Sequence, residues 1–200
     1  MGLTEYLINK INPMKKQTTT AQQNKKIHDF CKDTSKTKNL KDSKNKTVGF
    51  MFFNSNLMLS LDGNDKNDKG KKVMLVDSSD EYKPKYEGFE REIVDFDSFE
   101  GLFKAGQKYA DRYTNKITNF DFDQIDFKSM SNYTQGQTAL GPAIVTALGV
   151  VSKHGQGSSI VVVTDGIGNK GIFDQTEAWD EGYKLLKIRL EKMKCFMTVL

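Results

Sequence analysis

Apolar positions in this chain fall into short continuous runs, separated by stretches where they recur every three to four residues. Glu5–Asn9 is a short apolar run that predicts a strand. From Lys15 to Cys31 only Ala21, Ile27 and Phe30 are clearly apolar, which predicts a weakly amphipathic surface helix. Val48–Phe53 predicts a buried strand, Asn54–Asn56 a turn, and Leu57–Leu61 a hairpin partner. After the polar Asp62–Gly70 loop, Lys72–Val76 predicts a third strand.

A helix is expected from Asp97 or Ser98, either a good N-cap, with Phe99, Leu102, Phe103, Gly106, Tyr109, Ala110 and Tyr113 on one face. A second begins at Gly141–Pro142, with Pro142 at the first helical position and Ile144, Ala147, Leu148 and Val151 forming its apolar stripe. Gly155–Gly157 ends it. Ser159–Thr164 is the strongest strand, apolar at successive positions and so expected to be covered on both faces. Asp174 caps a long helix with Trp179, Tyr183, Leu186 and Leu190 inward, and Lys194–Leu200 predicts a final strand. Strands separated by helices predict an α/β domain with a mainly parallel sheet and helices on both faces. Residues 1–200 read as one domain, with polar Lys-rich loops at 32–46 and 62–72, and ending on a strand suggests a truncated or split domain.

Composition narrows the class. Hydrophobic residues make up 37% of the chain and charged residues 28%, a globular balance with a lean core. Runs such as Ile160–Val163 fall far short of the roughly 20 residues of a membrane helix. Met1–Tyr6 has neither the basic nor the apolar region of a secretory signal. Cys31 and Cys195 are too few for a disulfide scaffold, so a reducing, cytoplasmic location is expected.

The net charge is +4, carried by 27 lysines and only three arginines, Arg91, Arg112 and Arg189. Base reading leans on the arginine fork, so no specific nucleic-acid partner is expected. Much of the excess lies in Lys32–Lys46, a solvated loop on the plain reading and a contact for phosphate or an anionic membrane surface on the sharper one.

In an α/β sheet, ligands sit at the carboxyl ends of the parallel strands. Three loops are candidates: Asn9–Met14, Gly136–Gly141 and Thr164–Gly171. The runs Thr138–Ile144 and Ile160–Gly166 resemble a von Willebrand factor A domain. More narrowly, they resemble the variant in the trunk of COPII inner-coat proteins and in circularly permuted Ras-like proteins. Val48–Asn54 and Val73–Asp80 are similar to that trunk's paired strands, and Val94–Phe99 to its next strand-to-helix junction. The resemblance implies a three-layer Rossmann-like fold, a mainly parallel sheet with one antiparallel edge strand, and an Asn9 strand at the centre between the Val48 and Ile160 strands. It also implies a last helix and strand beyond Leu200, leaving Cys195–Leu200 as an open edge that would accept a strand.

The family's metal-ion-dependent adhesion site uses Asp-x-Ser-x-Ser in a first loop, Thr in a second and Asp in a third. Carried over, Thr138 matches the threonine and Asp165 the third-loop aspartate, while Asn9, Ile11 and Pro13 replace the Asp, Ser and Ser. Two oxygen ligands are too few for magnesium. The resemblance therefore implies a degenerate site without a metal, a binding rim of Asn9, Thr138, Asp165 and Gly166, and a protein partner within a coat or scaffold, peripheral to membranes. On the plainer reading, Thr138 and Asp165 bond only their own loops.

The rival reading is Gly166–Gly171, a G-x-G-x-x-G run after a strand that would cradle a nucleotide phosphate or a divalent metal. The expected helix, however, starts only near Asp174, and no acid follows the next strand. Asp62–Asp68 lacks the Gly and Glu of a calcium loop, and Asp77–Asp80 has the wrong spacing for a metal motif. His28 and His154 have no catalytic or ligand neighbours in sequence, and no nucleophile motif occurs, so no enzyme is expected.

Overall fold

The computed structural model describes residues 47–61, 71–80, 89–116, 136–154, 157–164, 168–174, 184, 186–192, 194 and 196–199. The Asn9 strand, the 15–31 helix, the 32–46 loop, Trp179, Tyr183, and the Asp165 and Gly166 positions lie outside them.

The chain is of α/β type. Four strands form its larger sheet in sequence order: β2 (Met51–Phe53), β3 (Leu57–Leu61), β4 (Lys71–Asp77) and β5 (Phe89–Val94). The expected hairpin is present, with Met51 opposite Leu59 and Phe53 opposite Leu57. β4 pairs antiparallel with β3, Leu57 opposite Leu75, and β5 then runs parallel to β4. This corrects the expectation of a mainly parallel sheet: in the four-stranded sheet two of the joins are antiparallel. The reason is the succession of strands over 51–77 with no crossover helix between them, which forces the chain to double back.

Val48–Phe53 is not one strand. β1 (Thr47–Val48) pairs with β6 (Asn115–Lys116), and β2 starts only at Met51. β4 begins at Lys71, so Lys71 and Lys72 belong to the strand rather than to a loop over 62–72.

Helix α1 (Phe99–Tyr113) starts where expected: the Ser98 hydroxyl accepts from the Gly101 N–H at 3.1 Å. Helix α2 (Leu140–His154) begins two residues before Pro142, which corrects the placement of Pro142 at the first helical position. The start is moved back because the Ala139 carbonyl already accepts from the Ala143 N–H at 3.1 Å. Proline is tolerated anywhere in the first turn, where its missing N–H has no helical acceptor.

α1 and α2 cross at Gly106 and Gly149. A Cβ on Gly106 would fall on the Thr146 carbonyl, and one on Gly149 on the Phe103 carbonyl. Both helices pack on the sheet face formed by Leu57, Leu59, Val73 and Leu75, with Leu102, Tyr109, Ile144 and Leu148 fully buried. The opposite face is also buried, for Met58 and Met74 are each 1% exposed and Val76 is 0%.

β7 (Ser159–Val162) pairs parallel with β8 (Phe196–Val199). Ile160 and Val162 enter the main core while Val161 is 44% exposed, so β7 alternates rather than being covered on both faces. Leu186 and Leu190 of the 186–192 helix face inward as expected. Among the described residues, no helix is long and apolar enough to cross a membrane.

Candidate functional site

β2 and β4 both pair antiparallel with β3, so they run in one direction, and β5 follows it. Their carboxyl ends deliver the 54–56, 77–80 and 95–98 segments to one end of the sheet. Two further segments, 136–139 before α2 and 168–174 after β7, are bonded into the same end.

Thr138 lies at their junction, half-buried. Its N–H donates to Asn169 Oδ1 at 2.6 Å, and its carbonyl accepts from the Asn169 N–H at 3.0 Å. On the other side, the Ala139 N–H donates to the Asn54 carbonyl at 2.7 Å and the Gln137 N–H to Ser55 Oγ at 3.0 Å. The turn itself is closed by the Asn56 N–H donating to Asn54 Oδ1 at 2.9 Å. The buried Asn56 Oδ1 has no hydrogen-bond partner among the described residues. Farther along, the Ile172 N–H donates to the Phe96 carbonyl at 2.8 Å, fastening the 168–174 loop to the end of β5. Gly171, at φ +73, sits where a Cβ would meet Pro142 Cγ at 2.6 Å and the Phe96 carbonyl at 2.8 Å.

A second cluster adjoins this rim. Asp77 follows Val73 and Leu75 on the helix-covered face, so strand alternation carries its carboxylate into the interior. Asp77 Oδ1 accepts from the Phe96 N–H at 3.3 Å and the Ser79 N–H at 3.2 Å, and Oδ2 from the Ser79 hydroxyl at 2.9 Å. Lys170, 7% exposed, reaches the same place from the post-β7 loop. Its ammonium donates to both Asp80 oxygens at 2.7 and 2.8 Å, lies 3.9 Å from Asp77, and stands over the Phe96 ring. Lys170, which lies inside the G-x-G-x-x-G run, is thus bound to carboxylates. Asp97 lies close by, and partial burial, then the charges of Asp77, Asp95 and Asp174, push its carboxyl above the usual range.

Of the sequence-chosen rim, Thr138 is at the junction, and Asn9, Asp165 and Gly166 fall outside the described residues. Sequence reading missed Lys170, Asp80 and Asn169. The one signal was for Lys170, a single basic residue inside the glycine-flanked run Gly166–Gly171. His154 Nε2 donates to Thr114 Oγ1 at 3.0 Å, the Thr114 hydroxyl being committed to the Ala110 carbonyl at 2.8 Å. Among the described residues, no group of three His, Cys, Asp or Glu side chains is placed to hold a metal ion.

Compared with models of protein families, with curated proteins and with solved structures, the chain matches none of them.

Proposed function

We propose that this chain is a protein-interaction module of von Willebrand factor A type, working in the cytoplasm within a coat- or scaffold-like assembly. Its contact surface is the rim around Thr138, a degenerate metal-ion-dependent adhesion site. The observation that carries the reading is the junction at Thr138, where loops following β2 and β7 are tied together through main-chain hydrogen bonds. The exposed Gln137 and Asn169 beside it carry neutral amide side chains, which suit the peptide groups and polar side chains of another protein. The three-layer Rossmann-like architecture belongs to the same proposal. It is supported by burial on both faces of the four-stranded sheet and by α2 packing against both β2 and β7.

Two measurements test this reading. Calorimetric titration with magnesium and manganese is expected to give no saturable heat; micromolar binding abolished by Asp165→Ala would overturn the metal-free site. A photo-crosslinker at the exposed Gln137 is expected to trap a partner in cells that the same group at the exposed Lys104 does not. Equal trapping at both positions, or none at Gln137, refutes the rim as the contact.

A further inference from the structure

Ile188 is the most exposed of the large hydrophobic side chains among the described residues, at 61%. Lys184 and Lys192 stand four residues before and after it, so the three share one stripe of the helix. Lys187 and Lys194 are exposed as well, and none of these four lysines takes part in an ion pair between described residues. The helix is held from its other side, where Leu186 and Leu190 enter the core and the Arg189 guanidinium stands over the Phe99 ring. Its position is thus fixed, and its outer face is presented on a rigid support.

This surface is separate from the rim. The Gly157 N–H donates to the Lys194 carbonyl at 3.0 Å, which puts the carboxyl end of the helix beside the amino ends of β7 and β8. The rim lies at the opposite end of those strands, away from Lys192 and Lys194, and the inference uses no rim residue, so it stands or falls apart from the rim reading.

We propose that this face docks an acidic helical segment of a partner protein. An aliphatic residue of that segment lies against Ile188, and carboxylates four residues to either side face Lys184 and Lys192. Charge complementarity argues for the acidic class, and the spacing argues for a helix, whose own i±4 rows match those of this one. The exposed Glu191 on the same face decides against an anionic bilayer, whose uniform negative potential would repel it, whereas a protein can place a donor opposite it. A nucleic-acid backbone is disfavoured for the same reason, and it has nothing to set against Ile188.

The test uses the full chain and a labelled helical peptide carrying Glu-x-x-x-Leu-x-x-x-Glu. Fluorescence anisotropy is expected to show high-micromolar binding that weakens with added salt. In the Lys184→Glu/Lys192→Glu variant, affinity is expected to fall about tenfold, each exposed pair contributing a few-fold. A peptide with Lys in place of both Glu is expected to restore it. Ile188→Ser is expected to lose a few-fold without changing the salt dependence, and it carries the test should the charge-reversed variant melt early. No peptide binding, equal affinity in wild type and the charge-reversed variant, or failure of the Lys peptide to rescue overturns the proposal. So does tighter binding to vesicles of about 30% phosphatidylserine or to an oligonucleotide than to the peptide.

Discussion

Lys170 carries its charge to a place that is 7% exposed, and it is tolerated there only because Asp80 and Asp77 meet it. A buried charge stripped of its partner costs far more than the pair contributes. Lys170→Met is therefore expected to lose about 3–5 kcal/mol in urea denaturation, because Asp77 stays buried. Asp80→Ala is expected to be destabilising too, and the double variant to lose less than the sum, since each single change orphans the other's charge. A strictly additive double variant would show that the contact is not coupled. Tyr109, 1% exposed, donates its phenol to Glu92, which also accepts from Lys108 at 2.6 Å. Burial first, and then this hydrogen bond and the charge of Glu92, push the phenol above its ordinary pKa of 10.0. A group raised in the folded state adds stability below its unfolded pKa and loses it above, so the fold is expected to weaken as pH climbs past about 10. Tyr109→Phe is expected to cost about 1.5–3 kcal/mol at neutral pH and to flatten the alkaline slope, as read by denaturation across that range.

The two long helices meet through glycine on each side, and this is where the element scale is most constrained. Gly149→Ala would drive a methyl into the Phe103 carbonyl, and backbone cannot give way as a flexible side chain does. The expected loss is about 1–3 kcal/mol in thermal or urea denaturation, although alanine is the better helix former. A neutral Gly149→Ala would mean that the helices do not cross so closely. Much of this level was legible beforehand. The α1 face and its Ser98 cap, the β2–β3 hairpin and the inward Leu186 and Leu190 all follow from local periodicity and capping chemistry. Less legible were the break at Gly49–Phe50, the early start of α2 and the alternation in β7. Each depends on what pairs or packs alongside, which a run of apolar residues does not reveal.

At the scale of the whole molecule, the parallel strands and helix starts bring like charges to one end. Asp77, Asp95, Asp97 and Asp174 gather there from three separate stretches of chain, and only Lys170 offsets them among the described contacts. The raised Asp97 carboxyl adds stability at low pH that is lost as pH rises through its folded value. Asp97→Asn is thus expected to be more stable than the wild type at pH 7, with the gap narrowing toward about pH 4, by urea denaturation at both. A gap that widens on acidification would contradict this.

The sequence by itself determined the α/β class, most element positions and the loop at Thr138, because periodicity, caps and turn residues act over a few neighbours. Tertiary structure alone decided the burial of Lys170 against Asp80 and the tie between Thr138 and Asn169. Those partners are separated by 31 to 90 residues of chain, and no local propensity spans such a distance. Only the folded sheet, by fixing which strand ends coincide, sets which charge meets which.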